Sequence, residues 1–174
     1  YGNNRFSCFN FPPGFFSKQC KNKTSGLGCA QAEKCPKGNY CEGELALEKG
    51  ASIAEYNKYK CPAGKYANTE MLAECIRCAA GYYSDEEGNR NCIECPLGTS
   101  QPNLGQKSCS QCKAGLYASE LGLSACVQCD SGKYQETTGA YSCKECVAGK
   151  YQDTKASRSC KDCDVDTFTF KNGS

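Results

Sequence analysis

Residues 112–129 read Cys112-Lys113-Ala114-Gly115-Leu116-Tyr117-Ala118-Ser119-Glu120-Leu121-Gly122-Leu123-Ser124-Ala125-Cys126-Val127-Gln128-Cys129. The same frame recurs on both sides. From Cys61 to Cys163 the gaps between successive cysteines alternate between 14 and 3 without exception, an internal repeat of 17 residues. Six repeats begin at Cys61, Cys78, Cys95, Cys112, Cys129 and Cys146, and each reads C-x2-G-x-Y-x8-C-x2. The glycine is present every time, as Gly64, Gly81, Gly98, Gly115, Gly132 and Gly149. The aromatic is Tyr66, Tyr83, Tyr117, Tyr134 and Tyr151, with Ser100 the one exception. A second glycine follows in four of the six, as Gly88, Gly105, Gly122 and Gly139.

Each mark has a mechanical meaning. A glycine three residues after a cross-link suits a turn with positive φ, and a tyrosine two residues later suits the start of a short strand. The second glycine falls mid-loop, where a hairpin would reverse. Thirteen residues between the two cysteines of a repeat leave room for two very short strands and a turn. The expected fold is a small disulfide-rich, elongated tandem array of short β-hairpins, with little helix and no conventional hydrophobic core.

Composition demands such a framework. Of 174 residues, 18 are Cys, none is His or Trp, and Leu, Ile, Val and Phe together number 22. That aliphatic and Phe share is well under the roughly 20% below which a chain struggles to build an apolar core, so order must come from cross-links or metal. An ordinary globular enzyme is excluded on these grounds. Lys plus Arg balance Asp plus Glu at 21 to 19, spread without blocks, so no basic stripe points to nucleic acid. No stretch reaches the ~18 apolar residues of a membrane span, so no membrane insertion is expected within this segment. The start at Tyr1 without Met reads as a processed or excerpted segment.

Disulfides and zinc compete for the thiols, and the choice also sets the compartment. C-x2-C-x13-C-x2-C lies just short of zinc-ribbon spacing. A four-thiolate site would use two C-x2-C pairs and make alternate repeats differ, giving a period of 34, whereas the Gly and Tyr marks recur at 17. Disulfides closing one loop per repeat match that period. Among pairings, the sequential scheme joins Cys61 to Cys75, Cys78 to Cys92, Cys95 to Cys109, Cys112 to Cys126, Cys129 to Cys143 and Cys146 to Cys160. A crossed scheme has the longer period, so period again favours the sequential one.

The rest of the chain is organised around this array. Residues 35–60 read as a modified repeat with an insertion, opening Cys35-Pro36-Lys37-Gly38-Asn39-Tyr40-Cys41, and Ala51–Tyr56 could form a short helical stretch. Residues 61–162 are the six repeats. Residues 163–174 read as the start of a truncated seventh, with Phe168 in the aromatic place, Asp166 where glycine is expected, and a partner for Cys163 due beyond the last residue. Sequential pairing leaves Cys8, Cys20, Cys29, Cys35 and Cys41, an odd number, to be matched otherwise. Residues 1–34 form a Phe-rich N-terminal cap in which Phe9, Phe11, Phe15 and Phe16 crowd around Pro12-Pro13-Gly14. These rings either cover the first repeat or make an assembly surface for another subunit.

No catalytic constellation is present. Without His, a serine lacks its usual base, and a cysteine nucleophile needs a thiol that the framework consumes. Asp85, Glu86 and Glu87, beside Gly88, Asn89 and Asn91, lack the order of a calcium loop and read as a solvated turn. No cofactor or metal is expected. Asn22-Lys23-Thr24 and Asn172-Gly173-Ser174 are N-glycosylation sequons, so glycans on Asn22 and Asn172 are candidate modifications. The tyrosines at every seventeenth place either form a ladder for carbohydrate or a neighbouring chain, or stand in for a core by covering disulfides.

The repeat unit resembles the first module of tumour necrosis factor receptor cysteine-rich domains. It resembles even more the ephrin-receptor-like repeats of growth-factor-receptor-type cysteine-rich regions. Cys35 to Cys41, followed by Cys61-Pro62-Ala63-Gly64-Lys65-Tyr66, is similar to openings in large repeat-bearing surface proteins of algae and other protists. The resemblance spans residues 35–168 and implies the sequential pairing. Such repeats serve receptors, stalks, adhesins and filaments alike. The sequence therefore points to an extracellular, non-enzymatic, rod-like stalk or filament component at a cell surface, as in a protist fibre or flagellar hair, with other subunits or copies of itself as partners. The alternative is a receptor ectodomain that binds a protein ligand.

Overall fold

The computed structural model describes residues 13–20, 29–42 and 59–164, with the backbone alone at 16–20 and 29–32. They fall into two compact bodies, one of residues up to Ile76 with Glu86–Asn91, the other of Arg77–Asp85 with the residues from Cys92 onward. Each body is built from the same element. Counting the first cysteine of a repeat as position 1, positions 5 and 6 pair antiparallel with positions 16 and 17. Thus Tyr82–Tyr83 pairs with Ile93–Glu94, and Thr99–Ser100 with Ser110–Gln111. Leu116–Tyr117 pairs with Val127–Gln128, Lys133–Tyr134 with Lys144–Glu145, and Lys150–Tyr151 with Lys161–Asp162. In the first body Asn39–Tyr40 pairs with Tyr59–Lys60. Lys65–Tyr66 and Ile76–Arg77 form a further two-stranded sheet. The described residues hold seven such two-residue hairpins in tandem, each repeat with its own disulfide, and no helix. A longer hairpin precedes them, β1 at Phe15–Cys20 with β2 at Cys29–Lys34.

The hairpins differ from the sequence expectation in one respect. The second strand lies after the second cysteine, in the two residues between the cysteines of C-x2-C, and not inside the disulfide loop. In the six regular repeats the cross-link from position 15 to position 1 holds positions 16 and 17 alongside 5 and 6, while positions 7 to 15 form a long loop; Asn39–Tyr40 and Tyr59–Lys60 pair in the same way without that bond. The first turn is as read. The position-4 glycines have φ between +76 and +87. Beside them the position-5 amide donates to the position-2 carbonyl, as from Tyr82 to Ala79 at 3.1 Å and from Lys150 to Val147 at 3.0 Å. A turn with positive φ at its third residue is the kind glycine serves best.

The core is a file of sulfur. The first cysteine of every described repeat is at most 1% exposed, joined there by Ala67, Ala118 and Ser84. Leu97, Leu104, Leu121, Val127 and Val147 lie on the outside. Among the described residues no Leu, Ile or Val is buried, so these side chains are not what orders the repeats.

Candidate functional site: the joint between repeats

Within each body, four backbone hydrogen bonds join one repeat to the next. Between the Cys95 and Cys112 repeats, Gly98 N–H donates to the Ala118 carbonyl and Cys112 N–H to the Gly98 carbonyl, both at 2.9 Å. Gly122 N–H donates to the Cys95 carbonyl at 2.9 Å, and Gln101 N–H to the Leu123 carbonyl at 3.1 Å. In the first body the same four run from Gly38 to Ala67, Cys61 to Gly38, Met71 to Cys35 and Cys41 to Leu72, at 2.8–3.0 Å. Within a body the joint thus links positions 4, 1, 11 and 7 to fixed positions of the neighbouring repeat.

A second contact skips one repeat. A Cβ built on Gly81, Gly98 or Gly115 would run into the position-11 carbonyl two repeats on, at Gly122, Gly139 and Ala156 respectively. In the first body Gly38 meets the Gly88 carbonyl in the same way. At Gly38, Gly81, Gly98 and Gly115, position 4 therefore needs glycine twice over, for its φ and for this approach. Position 11 also takes positive φ throughout. Where its glycine is missing, Met71 and Ala156 adopt φ of 64° and 56°, the two non-glycine residues with positive φ among those described. The second glycine, expected to reverse a hairpin, instead forms part of the joint.

Position 7 was not singled out in the sequence, yet it is buried in every repeat. It is Ala67, Ser84, Gln101, Ala118, Gln135 or Gln152, each between 0% and 6% exposed. Where it is glutamine, the side chain ties the long loop together. Gln135 Nε2 donates to the Ser142 carbonyl at 2.8 Å, and its Oε1 accepts from Thr137 N–H at 3.1 Å. Gln101 does the same with Ser108 and Asn103, and Gln152 with Ser159 and Thr154. The signal was available, since the residue after the aromatic place is only ever Ala, Ser or Gln in the six repeats.

The repeated tyrosines Tyr66, Tyr83, Tyr117, Tyr134 and Tyr151 are half-buried. At the one exception, Ser100 Oγ lies 3.2 Å from Cys126 Sγ, so this place faces the next repeat's disulfide and not its own. Lys161 Nζ sits 5.7 Å from the Tyr151 ring centroid, over its face. On the outer strands, Lys133 faces Glu145 and Lys150 faces Asp162 at 3.7 and 2.7 Å. Tyr82 Oη donates to Glu94 at 3.2 Å, and that bond raises the phenol's pKa. The hydrogen bond from Lys155 lowers the Asp130 pKa, and that from Lys161 lowers the Asp153 pKa.

The six sequence-assigned pairs lie together in the structure: Cys61 with Cys75, Cys78 with Cys92, Cys95 with Cys109, Cys112 with Cys126, Cys129 with Cys143 and Cys146 with Cys160, at Cα separations of 5.6–5.8 Å. A further bond, Cys35 to Cys41, joins positions 1 and 7 of the modified repeat. These bonds take up the thiolates that a zinc site would use. Cys163 N–H donates to the Gly149 carbonyl at 3.0 Å, in the register of a seventh start. Phe15 is half-buried, and only the backbone of Phe16 is described. Phe9, Phe11, Asn22, Asn172, Cys8 and Ala51–Tyr56 lie outside the described residues. Asp85, Glu86 and Glu87 are exposed.

The family described as tyrosine-protein kinase ephrin type A/B receptor-like matches residues 64–112, 81–122, 115–163 and 132–174. The chain belongs to the ephrin-receptor-like family. Every matched stretch of this ephrin-receptor-like array begins on a position-4 glycine, Gly64, Gly81, Gly115 or Gly132, the residue on which the joint turns. No curated protein matches the chain. Ephrin-receptor-like repeats are modules of a non-catalytic type, and with seven disulfides they point to an oxidising, extracellular setting. No helix of the described residues is long and apolar enough to cross a membrane.

Proposed function

We propose that this ephrin-receptor-like chain is a non-enzymatic structural spacer at a cell surface, a rod-like stalk or filament component. One observation carries the reading: within the second body the joint is the same from repeat to repeat. Gly98, Gly115 and Gly132 donate to the position-7 carbonyl of the following repeat at 2.9, 2.7 and 2.7 Å. A constant joint propagates one geometry, which is what a spacer requires, whereas a binding site requires a place that differs from its neighbours. The near-neutral charge, spread without blocks, supports the same reading. Assembly in this reading runs through the phenylalanine-rich segment around Phe9, Phe11, Phe15 and Phe16, onto another subunit.

Electron microscopy of native surface material, labelled with an antibody to this chain, tests the proposal. The expected result is label along a regular fibre or stalk. Dispersed monomers that bind a soluble protein partner saturably would overturn it in favour of a receptor ectodomain.

A further inference from the structure

The phenylalanine-rich segment has no cysteine in the 17-residue rhythm, yet its backbone makes the array's joint. Gly14 has φ of +90°. Its N–H donates to the Cys41 carbonyl at 2.9 Å, and its carbonyl accepts from Cys35 N–H at 2.8 Å. Cys41 and Cys35 are positions 7 and 1 of the modified repeat, so these are the bonds that Gly98 makes with Ala118 and Cys112. A Cβ on Gly14 would run into the Met71 carbonyl, at position 11 two repeats on, as one on Gly81 would at Gly122. The strand register agrees as well. Phe15 faces Lys34 and Phe16 faces Glu33, as Tyr82 faces Glu94 and Tyr83 faces Ile93.

On that register Phe11-Pro12-Pro13-Gly14-Phe15-Phe16 stands where Cys61-Pro62-Ala63-Gly64-Lys65-Tyr66 stands in the first regular repeat. The places of the usual cross-link, positions 1 and 15, hold Phe11 and Ala32, so that disulfide cannot form. The hairpin is instead extended to six residues a strand, and its register sets Cys20 opposite Cys29. We infer that residues 11–34 are a further repeat of the array, whose cross-link has moved along the hairpin to a disulfide between Cys20 and Cys29.

The backbone alone supports the bond. Directly opposed residues of an antiparallel pair lie about 4.5 or 5.5 Å apart at Cα, both inside the roughly 4.4–6.8 Å that a disulfide spans. The next repeat sets a precedent for relocation: its position 15 is Lys58, and its bond runs from Cys35 to Cys41. In forming the new bond the two thiols give up two protons and two electrons to a disulfide-bearing oxidant, which leaves as two thiols by thiol–disulfide exchange. That is the chemistry that would build the other bonds of the array.

Peptide mapping of the full chain tests the cross-link, with thiols alkylated in acid, N-glycans released and trypsin used without reductant. The expected product is Gln19–Lys21 joined to Thr24–Lys34, lost completely on reduction. Either peptide joined to Phe6–Lys18, which carries Cys8, or both recovered alkylated, would overturn it. Hydrogen exchange tests the repeat frame separately. The Gly14 and Cys35 amides are expected to be protected as Gly98 and Cys112 are; free exchange at both would overturn the frame whatever the cysteines do.

Discussion

A position-4 glycine answers one demand or two, and substitution can separate them. Gly115 and Gly149 have nearly the same φ, +86° and +84°, but a Cβ on Gly115 meets the Ala156 carbonyl while nothing described lies within 4 Å of one on Gly149. Gly149→Ala should cost only the left-handed strain, about 1–2 kcal/mol. Gly115→Ala adds an overpacking cost of roughly 1–3 kcal/mol and should be clearly the worse of the two in denaturant melts. Equal losses would contradict the close approach. The reverse holds at position 11, where Ala156 carries positive φ without glycine. Ala156→Gly should therefore stabilise, by up to about 1 kcal/mol, since the strain relieved exceeds the unfolded-state entropy that glycine adds. The positive φ at Gly64 and its equivalents was legible from the motif itself. The contact across two repeats was not, because it joins residues 41 apart, such as Gly81 and Gly122, that no local pattern relates.

Within one repeat, the hairpin, the loop and the outer ion pairs contribute unequally. The position-7 glutamine is the loop's own fastening, so Gln135→Ala should cost about 1–3 kcal/mol by removing three hydrogen bonds at a buried place, and should raise exchange at the Thr137 amide. An unchanged melt would show that the loop is held by its disulfide alone. The surface pairs are exposed and contribute less. Their signs are nonetheless definite. Asp130 and Asp153 have lowered pKa values through Lys155 and Lys161, so their contribution is present above the unfolded carboxyl value of about 3.9 and is lost as pH falls through the lower folded values. Lys144, Lys150 and Lys161 are raised through Glu136, Asp162 and Asp153, so theirs is full below about 10.4 and is lost as pH rises through the higher folded values. With no histidine in the chain, thermal midpoints of the oxidised protein should be flat from about pH 5 to 9 and decline only outside that window. A transition near neutrality would contradict this assignment. The hairpin and its Gly-x-Tyr start could be read from sequence, since turn chemistry is local. Its second strand was placed too early, because Val127–Gln128 returns to Leu116–Tyr117 across a long loop that no local pattern marks.

At the scale of the molecule, the cysteine rhythm made the array legible, because a strict period allows few pairings. The joint was less so, since its backbone groups carry no residue signature beyond two glycines. The Cys35–Cys41 bond was missed because it departs from that period. Cross-links and joints, not an apolar core, are the source of order in the repeats. In chain-entropy terms each ~15-residue loop contributes about 3 kcal/mol, so losing all of them should leave the joints too weak to persist. Hydrogen exchange on the intact chain, oxidised and then fully reduced with thiols blocked, measures this directly. The Gly98, Gln101, Gly105 and Cys112 amides, all donors across joints, are expected to be protected in the oxidised chain and to exchange at unfolded rates in the reduced one. Protection of these amides that survives complete reduction would contradict it.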